Sequence, residues 1–500
     1  TLPTLLHSTG GGDGCPDLTL VIVFGAPGNE PLGPVPPGAG FHIVRFEELA
    51  ATGQAQPEPH CPPDADDLFT ICYTSGTTGV PKGAMLTHRN IIANSAGTEH
   101  MLGITCEDVH ISYLPLAHIY ERTNVTFMTH RGAAVGFYRG EILELVDDIL
   151  ELKPTTFCSV PRLLNRIYDK VQAGLLESGP VARWLFSQAQ ASKLQALAVG
   201  DLSGGTMGSF WERFVFSKVQ ARLGGRVRFI GTGSSPIAPE VYNFLRCAFP
   251  EVHEGYGMTE TCCMITMTDH EDPMIGHVGA PVFSCEVKLV DVPEMGYTNA
   301  DHPHPRGEIC VRGPTVFQGY YRDEAQTQDC LDADGWFHTG DVGSWIEGGR
   351  LKIIDRKKNI FKLSQGEYVA PEKIENVYAR SPFVAQVFVY GDSLQAELVA
   401  VVVPDPDHLL PWAQAHGLGG RSIEELCAHP DVSAAVFESM QREGKSSKLR
   451  GFENARAIHL EPELWTVDNG MFTPTFKLKR PRAKEQYQLD IQRMYQSLHR

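Results

Sequence analysis

The chain has 500 residues and a formal net charge of −17, with 43 Lys and Arg against 60 Asp and Glu. At about 100–200 residues per domain, this length predicts about three domain-sized units. A hydrophobic content of 42% is that of a globular protein with large cores. The acidic balance argues against nucleic acid as a partner, because nucleic-acid-binding surfaces require an excess of positive charge. The sequence contains no run of about 18 apolar residues, so we expect no membrane-spanning helix in it.

The first 66 residues give weak structural signals. Leu18–Phe24 predicts a first strand, and residues 25–66 are rich in Pro, Gly and acidic residues. This composition predicts loop, with one short strand at Phe41–Phe46. Because the sequence starts at Thr1 without a methionine or a signal-like segment, we expect a fragment or a processed form, incomplete at its start.

The segment Thr74–Gly83 reads Thr-Ser-Gly-Thr-Thr-Gly-Val-Pro-Lys-Gly. It follows Leu68–Tyr73, whose β-branched and aromatic residues predict a buried strand. Glycines let backbone N–H groups approach phosphate oxygens, hydroxyls add donors, and the lysine adds a positive charge. The spacing does not match G-x-x-x-x-G-K-[ST]. A polar surface turn would explain a shorter Gly/Ser/Thr loop, but the whole pattern favours a phosphate-binding loop. The candidate phosphate-binding residues are Thr74, Ser75, Gly76, Thr77, Thr78, Gly79 and Lys82.

From Asp67 to about Ala300, strand and helix patterns alternate. Thr155–Val160, Arg228–Gly231 and Val252–Tyr256 are short apolar runs that predict strands. Alternation predicts a mostly parallel sheet with helices on both faces, and ligands bind such sheets at the carboxyl ends of the strands. Residues 195–209 predict a flexible insertion.

The pattern changes towards the C-terminus. Short strands and turns dominate residues 287–350, which predicts a small β subdomain. A new αβ unit follows, with a predicted helix at Pro371–Tyr378 and predicted strands at Val384–Tyr390 and Leu398–Val403.

We therefore predict an α/β fold. Residues 1–354 form a large N-terminal domain of parallel-sheet αβ layers with the small β subdomain. Residues 355–500 form a smaller, mobile C-terminal α+β domain, which is large enough to fold alone.

Three further segments carry groups suited to a nucleotide. Gly233–Pro236 reads Gly-Ser-Ser-Pro. Because glycine and serine have small side chains, a flat ligand could approach the backbone closely here. Glu254–Thr261 combines a tyrosine, a hydroxyl and a carboxylate, which suit base stacking, phosphate contact and Mg²⁺ binding. Asp341 ends the turn Trp336–Asp341, where its carboxylate could accept from two ribose hydroxyls. Taken singly, each segment could be structural, since Asx-type turns and core tyrosines are common.

Taken in order, these segments resemble the successive signature motifs of the adenylate-forming superfamily, which includes acyl-CoA synthetases, luciferases and the adenylation domains of peptide synthetases. The resemblance runs from about Asp67 to Arg482. The segments similar to the eukaryotic long-chain fatty acyl-CoA synthetases are Leu114–Arg122, Asp334–Lys358, Phe361–Glu375 and Thr473–Arg480.

The resemblance implies roles for individual residues. The implied catalytic residues are Lys477, Thr259 and Glu260. The implied Mg²⁺ ligands are Thr77 and Glu260. The implied nucleotide-binding residues are Gly233, Ser234, Ser235, Pro236, Tyr256, Gly257, Asp341, Arg356, Lys358 and Lys362. His118 and Gly366 are implied in the acyl and CoA sites, and Asp355 is the implied hinge. Lys479 remains a second candidate for the catalytic lysine, because the segment reads Phe-Lys-Leu-Lys-Arg.

The resemblance also implies a reaction: ATP-dependent activation of long-chain fatty acids to acyl-CoA through acyl-AMP, releasing AMP and pyrophosphate. ATP, Mg²⁺ and coenzyme A are the implied cofactors and co-substrates. Two alternatives stay open: a related ligase for another carboxylic acid, and a non-catalytic acyl-binding relative. The implied location is the cytoplasmic face of the endoplasmic reticulum, peroxisome or mitochondrial outer membrane. We expect peripheral membrane association through a segment outside this sequence.

Overall fold

The computed structural model describes residues 18–24, 41–74, 81–205, 207–473 and 477–498. The chain divides into two compact units, Thr1–Asp64 and Ala65–Arg500.

In the first unit, strands β1 (Leu20–Val23) and β2 (His42–Arg45) pair in parallel, and a helix follows at Phe46–Ala55. The prediction of loop for this stretch was therefore wrong in part. Glu47 and Glu48 lie in the first turn of the helix, where carboxylates interact favourably with the helix dipole. The neighbouring Pro and Gly residues concealed this signal.

The second unit contains the other strands of the described residues. They are β3 (Leu68–Thr74), β4 (Lys82–Thr87), β5 (Val109–Ser112), β6 (Ala134–Phe137), β7 (Thr156–Ser159), β8 (Phe229–Thr232), β9 (Glu251–Met258), β10 (Cys263–Met267), β11 (Ala280–Pro281), β12 (Glu286–Val290), β13 (Arg306–Arg312), β14 (Phe337–Ile346), β15 (Arg350–Arg356), β16 (Phe361–Lys362), β17 (Tyr368–Val369), β18 (Val384–Tyr390), β19 (Leu398–Pro404) and β20 (Ala455–Leu460). Its α-helices are His88–Glu99, Ile119–His130, Leu145–Leu152, Pro161–Glu177, Pro180–Leu197, Gly208–Trp211, Ser217–Gln220, Pro239–Ala248, Glu324–Cys330, Pro371–Tyr378, Pro406–Ala415, Ile423–Cys427, Pro430–Ser446, Arg480–Gln486 and Gln488–Leu498.

Among the described residues, the largest sheet has seven strands in the order β11-β10-β9-β8-β7-β5-β6. The five strands from β9 to β6 run parallel, and β10 and β11 run antiparallel to their neighbours. Every residue of β7 and β8 is buried, as expected when helices cover both faces of a parallel sheet. This sheet confirms the predicted αβ layers of the large N-terminal part.

The strand before the phosphate-loop motif lies outside that sheet. β3 pairs only with β4, antiparallel, in a two-stranded sheet. Leu68, Phe69 and Tyr73 are 47%, 39% and 64% exposed. The strand itself is confirmed, but its predicted burial was wrong, because β-branched and aromatic composition favours a pleated strand without fixing what covers it.

Among the described residues, the C-terminal half has three further sheets, one of which is the two-stranded pair of β16 and β17. β12 to β15 form a four-stranded antiparallel sheet over Glu286–Arg356, close to the predicted β subdomain. β18, β19 and β20 form a three-stranded sheet whose core includes residues of the helices Pro371–Tyr378 and Pro430–Ser446. This arrangement confirms a smaller C-terminal part of mixed α and β structure, whereas the boundary at residue 355 stays a prediction.

Candidate active site

A cavity of about 850 Å³ follows one face of β8 and β9 to their carboxyl ends. Along each strand alternate residues line it, as strand geometry requires for one face, and at the carboxyl end of each strand consecutive residues do. The cavity also brings together many of the candidate residues from distant parts of the sequence. Those that line it are Thr74, Lys82, His118, Gly233, Ser234, Gly257, Thr259, Glu260, Arg356, Lys358 and Lys477.

Two of these glycines are required by close backbone contacts. A Cβ at Gly233 would lie 2.9 Å from the carbonyl oxygen of Gly255, and a Cβ at Gly257 would lie 1.3 Å from that of Cys263. Any side chain at either position would push neighbouring strands apart. Glycine therefore keeps this wall narrow and presents bare backbone to the cavity.

One part of the cavity is apolar. It lies between the helix Ile119–His130 and the sheet, where the helix supplies Phe127 and Met128. Phe229 of β8 and Met267 of β10 line it from the sheet side. Such a lining suits a hydrocarbon chain.

His118 lies between the apolar and polar parts and caps the N-terminus of the helix Ile119–His130. The Tyr120 backbone N–H donates to its Nδ1 at 3.2 Å. Burial, and then the nearby Lys477 ammonium, lower the pKa of His118 to about 4. The imidazole is therefore neutral at pH 7, and because Nδ1 accepts, its proton is on Nε2. Sequence analysis predicted His118 at the acyl site; the structure adds that its Nδ1 is already occupied by the Tyr120 N–H, which leaves Nε2 for a ligand.

Asp341 is buried beside Tyr256 and Arg356. The Tyr256 hydroxyl donates to Asp341 Oδ2 at 2.7 Å, and Arg356 Nε lies 3.2 Å from Oδ1. The pairing of β14 with β15 sets Asp341 opposite Arg356. Arg356 lines the cavity directly, and Asp341 and Tyr256 adjoin it through their contacts with each other and with Arg356.

Glu260 follows β9 in the short 3₁₀ turn Thr259–Thr261. The Tyr320 hydroxyl donates to Glu260 Oε1 at 2.7 Å. Burial, and then the Glu260 carboxylate, raise the pKa of Tyr320, so this hydroxyl stays protonated. The Lys82 ammonium lies 5.0 Å from the centroid of the Tyr320 ring and donates to Gln326 Oε1. Sequence analysis missed Tyr320, which lies in no motif and reaches Glu260 only through the fold.

Lys477 projects into the cavity, and Lys479 does not. The Lys477 backbone N–H donates to Thr473 Oγ1 at 3.1 Å, and its carbonyl accepts from the Thr473 N–H at 2.9 Å. The residue as a whole is exposed along the cavity that it lines. Desolvation of its ammonium there, and then the charge of Arg356, lower the pKa of Lys477. Lys479 is also exposed and occupies the N-cap position of the helix Arg480–Gln486, without a capping hydrogen bond from its side chain.

The remaining candidates lie elsewhere. Lys362 and Gly366 belong to the β16–β17 hairpin, where the Lys362 ammonium lies 5.2 Å from the Tyr368 ring centroid. Ser235 and Pro236 follow the cavity wall without lining it. The phosphate-loop candidates Ser75, Gly76, Thr77, Thr78 and Gly79 lie outside the described residues.

Asp355, the predicted hinge, is buried near the end of β15. Its Oδ1 accepts from the Arg356 N–H at 2.6 Å, and its Oδ2 accepts from the Glu372 N–H at 3.2 Å. Burial, and then the Glu372 carboxylate, raise the pKa of Asp355. The carboxyl group thus joins the end of the β subdomain to the helix Pro371–Tyr378.

The described residues contain no group of three or more His, Cys, Asp or Glu side chains that could hold a metal ion.

Two family models match the chain. The model described as AMP-binding enzyme matches residues 32–321, and that described as AMP-binding enzyme C-terminal domain matches residues 373–442.

Curated relatives match almost the whole chain. The chain is 54% identical over 484 residues to long chain acyl-CoA synthetase 6, peroxisomal, from Arabidopsis thaliana, covering 97% of this chain and 68% of the relative. It is 46% identical over 490 residues to long-chain-fatty-acid–CoA ligase 1 from Homo sapiens, with the same two coverages. The chain thus spans about two thirds of the length of these relatives.

Among solved structures, the chain is similar to the adenylation domain of a carboxylate reductase from Mycobacterium chelonae, with a TM-score of 0.74 and 31% identity, covering 92% of this chain and 65% of that one. It is also similar to the corresponding domain from Segniliparus rugosus in complex with AMP and a co-purified carboxylic acid, with a TM-score of 0.70 and 28% identity, covering 92% and 67%. These matches confirm the resemblance seen in the motifs. The chain belongs to the AMP-binding enzyme family and, within it, to the long-chain acyl-CoA synthetases.

Proposed function

We propose that this protein uses ATP to convert long-chain fatty acids into acyl-CoA through an acyl-AMP intermediate, releasing AMP and pyrophosphate. The observation that carries the proposal is the single cavity that joins an apolar pocket to Lys477, Glu260 and Arg356. The names of the relatives support the same reaction.

In the first step a fatty-acid carboxylate oxygen attacks the α-phosphate of ATP, and the bond to pyrophosphate breaks. Two anionic groups approach each other, so negative charge concentrates between them. The Lys477 ammonium, fixed through Thr473, stabilises that charge more strongly in the transition state than in the separate reactants. The neutral His118 would donate to the carboxylate and orient it towards the phosphate.

The nucleotide would bind along the wall formed by Gly233 and Ser234, with Thr259 near the α-phosphate and Lys358 near the nucleotide. Asp341 and Arg356 would hold the ribose hydroxyls. Asp341 already accepts a hydrogen bond from Tyr256 and pairs with Arg356. The ribose hydroxyls would therefore replace these partners or bind to Asp341 beside them.

Mg²⁺ fits this site through its donor chemistry. Glu260 supplies a carboxylate at the cavity, and phosphate oxygens of ATP would complete a set of hard oxygen ligands together with Thr77. When bound, Mg²⁺ neutralises phosphate charge. Tyr320 would hold Glu260 in the orientation that receives it.

Tyr320→Phe should raise the Mg²⁺ concentration needed for half-maximal adenylation by about fivefold to tenfold, since the hydrogen bond that orients Glu260 contributes of order 1 kcal/mol or more. The rate at saturating Mg²⁺ should change much less. Pyrophosphate release measured against Mg²⁺ concentration checks this, with the exposed neighbour Tyr321→Phe as the matched control. An unchanged Mg²⁺ dependence in Tyr320→Phe would exclude the orienting role.

In the second step the thiol of CoA attacks the acyl carbonyl and AMP leaves. Lys477 lines the cavity in this structure, which supports assigning the structure to the adenylation step. We propose that the C-terminal domain then rotates about Asp355 and brings the Gly366 turn and Lys362 towards the thiol. Asp355 suits a pivot because its carboxyl group connects β15 to the first helix beyond it.

The substrate range tests this function directly. Each methylene buried in the apolar pocket contributes about 0.8 kcal/mol, so pyrophosphate release should rise steeply with chain length. We expect turnover with palmitate and almost none with acetate. Equal activity on the two acids would contradict the proposal, and pyrophosphate release with other acid classes would favour a related ligase. A protein that binds fatty acid without releasing pyrophosphate would be the non-catalytic alternative.

The location of the protein is a further part of the proposal. One relative carries a peroxisomal name, which supports a peroxisome or another intracellular membrane as the site of action. No helix among the described residues is long and apolar enough to cross a bilayer.

A further inference from the structure

A short segment after the helix Pro180–Leu197 exposes several large apolar side chains. Met207, Phe210 and Phe214 are 46%, 41% and 54% exposed. We call these three residues the aromatic ridge. It overlaps the end of the stretch 195–209, which sequence analysis predicted to be a flexible insertion, and none of the described residues between 199 and 222 lines the cavity.

The aromatic ridge is held on a firmly packed base. Phe216, in the π-helical turn Glu212–Phe216, is buried against Phe186, with ring centroids 6.3 Å apart. On the ridge itself, the rings of Phe210 and Phe214 contact each other with centroids 4.9 Å apart. One side of the segment is therefore anchored in the core while its aromatic rings are presented to the solvent.

The charge around the ridge is opposite in sign to that of the whole chain. Residues 183–226 contain six Lys or Arg and two Asp or Glu, whereas the whole chain has more acidic than basic residues. Both acids are engaged locally: Asp201 accepts from the Ser203 and Gly205 N–H groups, and Glu212 accepts from Gln220.

The basic side chains are left available. Arg213, Lys218 and Arg222 are exposed and take part in no ion pair among the described residues. Arg213 lies over the ring of Phe214, 5.6 Å from its centroid, so cationic and aromatic groups form one surface.

We propose that the aromatic ridge is a docking site for an anionic lipid bilayer. Aromatic and aliphatic side chains flanked by Arg and Lys are the composition of interfacial segments that insert shallowly while their cations contact lipid phosphates. A few exposed side chains are too small an area for a stable protein interface, but they suit insertion at a membrane surface. The proposal does not depend on the proposed reaction, because it concerns binding alone.

Co-sedimentation of the full chain with vesicles tests the proposal. The protein should bind vesicles of phosphatidylcholine and phosphatidylserine more tightly than vesicles of phosphatidylcholine alone, and high salt should weaken the binding. The double variant Phe210→Ala/Phe214→Ala should lower the partition coefficient by about tenfold, since two apolar anchors are lost. Phe210→Trp/Phe214→Trp should retain binding, because tryptophan is favoured at the interface.

Matched controls separate this surface from general effects. Phe283→Ala/Leu394→Ala removes two exposed apolar side chains elsewhere and should bind like the parent protein. Arg213→Gln/Lys218→Gln should lose the preference for anionic lipid, whereas Lys445→Gln/Lys448→Gln, exposed at another site, should keep it.

Three results would overturn the proposal. The first is a parent protein that does not bind anionic vesicles. The second is equal loss of binding in the ridge variant and in its control. The third is self-association in solution that the ridge variant abolishes while vesicle binding is unchanged, which would make the ridge a contact between copies of this chain.

Discussion

Replacing Lys477 with alanine should slow acyl-AMP formation by about a thousandfold or more, as removal of a preorganised charged donor does at other sites where charge develops. Lys477 projects into the same cavity as Glu260 and Arg356 and is the cationic group expected between the carboxylate and the α-phosphate. The thioester half-reaction, started from supplied acyl-AMP and CoA, should be nearly unaffected. In that step the C-terminal domain would have rotated and removed Lys477 from the carbonyl.

Pyrophosphate exchange measures the first half-reaction, and acyl-CoA formation from supplied acyl-AMP measures the second. Lys479→Ala is the matched control, because Lys479 carries the same charge two residues away but is exposed outside the cavity. Normal adenylation in Lys477→Ala together with its loss in Lys479→Ala would move the catalytic role to Lys479. Equal loss of both half-reactions in Lys477→Ala would contradict the rotation.

The parts of the site that could be predicted are those whose chemistry lies in a short run of sequence. Glycine is needed at positions 233 and 257 because neighbouring backbone passes too closely for a Cβ. A position that only glycine can occupy is visible in the sequence itself. Tyr320 could not be found in the same way. Its hydroxyl bonds to Glu260 at a sequence separation of 60 residues, and only the folded chain brings the two together.

In the fold, too, features set by neighbouring residues in the sequence were predicted, and features set by tertiary contacts were not. The helix Pro371–Tyr378 was predicted with its exact bounds, because proline at its first position and the apolar spacing are both local signals. The burial of β3 was predicted wrongly, because burial depends on what packs against a strand. The partners of Asp341 were also unpredictable, since they follow from strand register and from Tyr256 on another sheet.

Asp341→Ala should raise the KM for ATP by about tenfold to a hundredfold, while the KM for the fatty acid changes much less. A buried carboxylate that accepts from ribose hydroxyls contributes a charge-assisted hydrogen bond, and its loss costs about 1.5–3 kcal/mol. Initial rates of pyrophosphate release at varied ATP and varied palmitate separate the two KM values. A larger change in the KM for palmitate than in that for ATP would place Asp341 outside the nucleotide site.

Tyr256→Phe distinguishes a direct role of Asp341 from an indirect one. In this structure the Tyr256 hydroxyl donates a hydrogen bond to one oxygen of the Asp341 carboxylate, at 2.7 Å. If Asp341 binds ribose, removing that hydroxyl frees an acceptor and should leave the KM for ATP unchanged or lower, because the aromatic ring remains. If Asp341 serves only to hold Tyr256, the phenylalanine variant should reproduce the defect of Asp341→Ala. We expect the first outcome, because Arg356 pairs with the same carboxylate and lines the cavity, so a ribose placed against Arg356 would also reach Asp341.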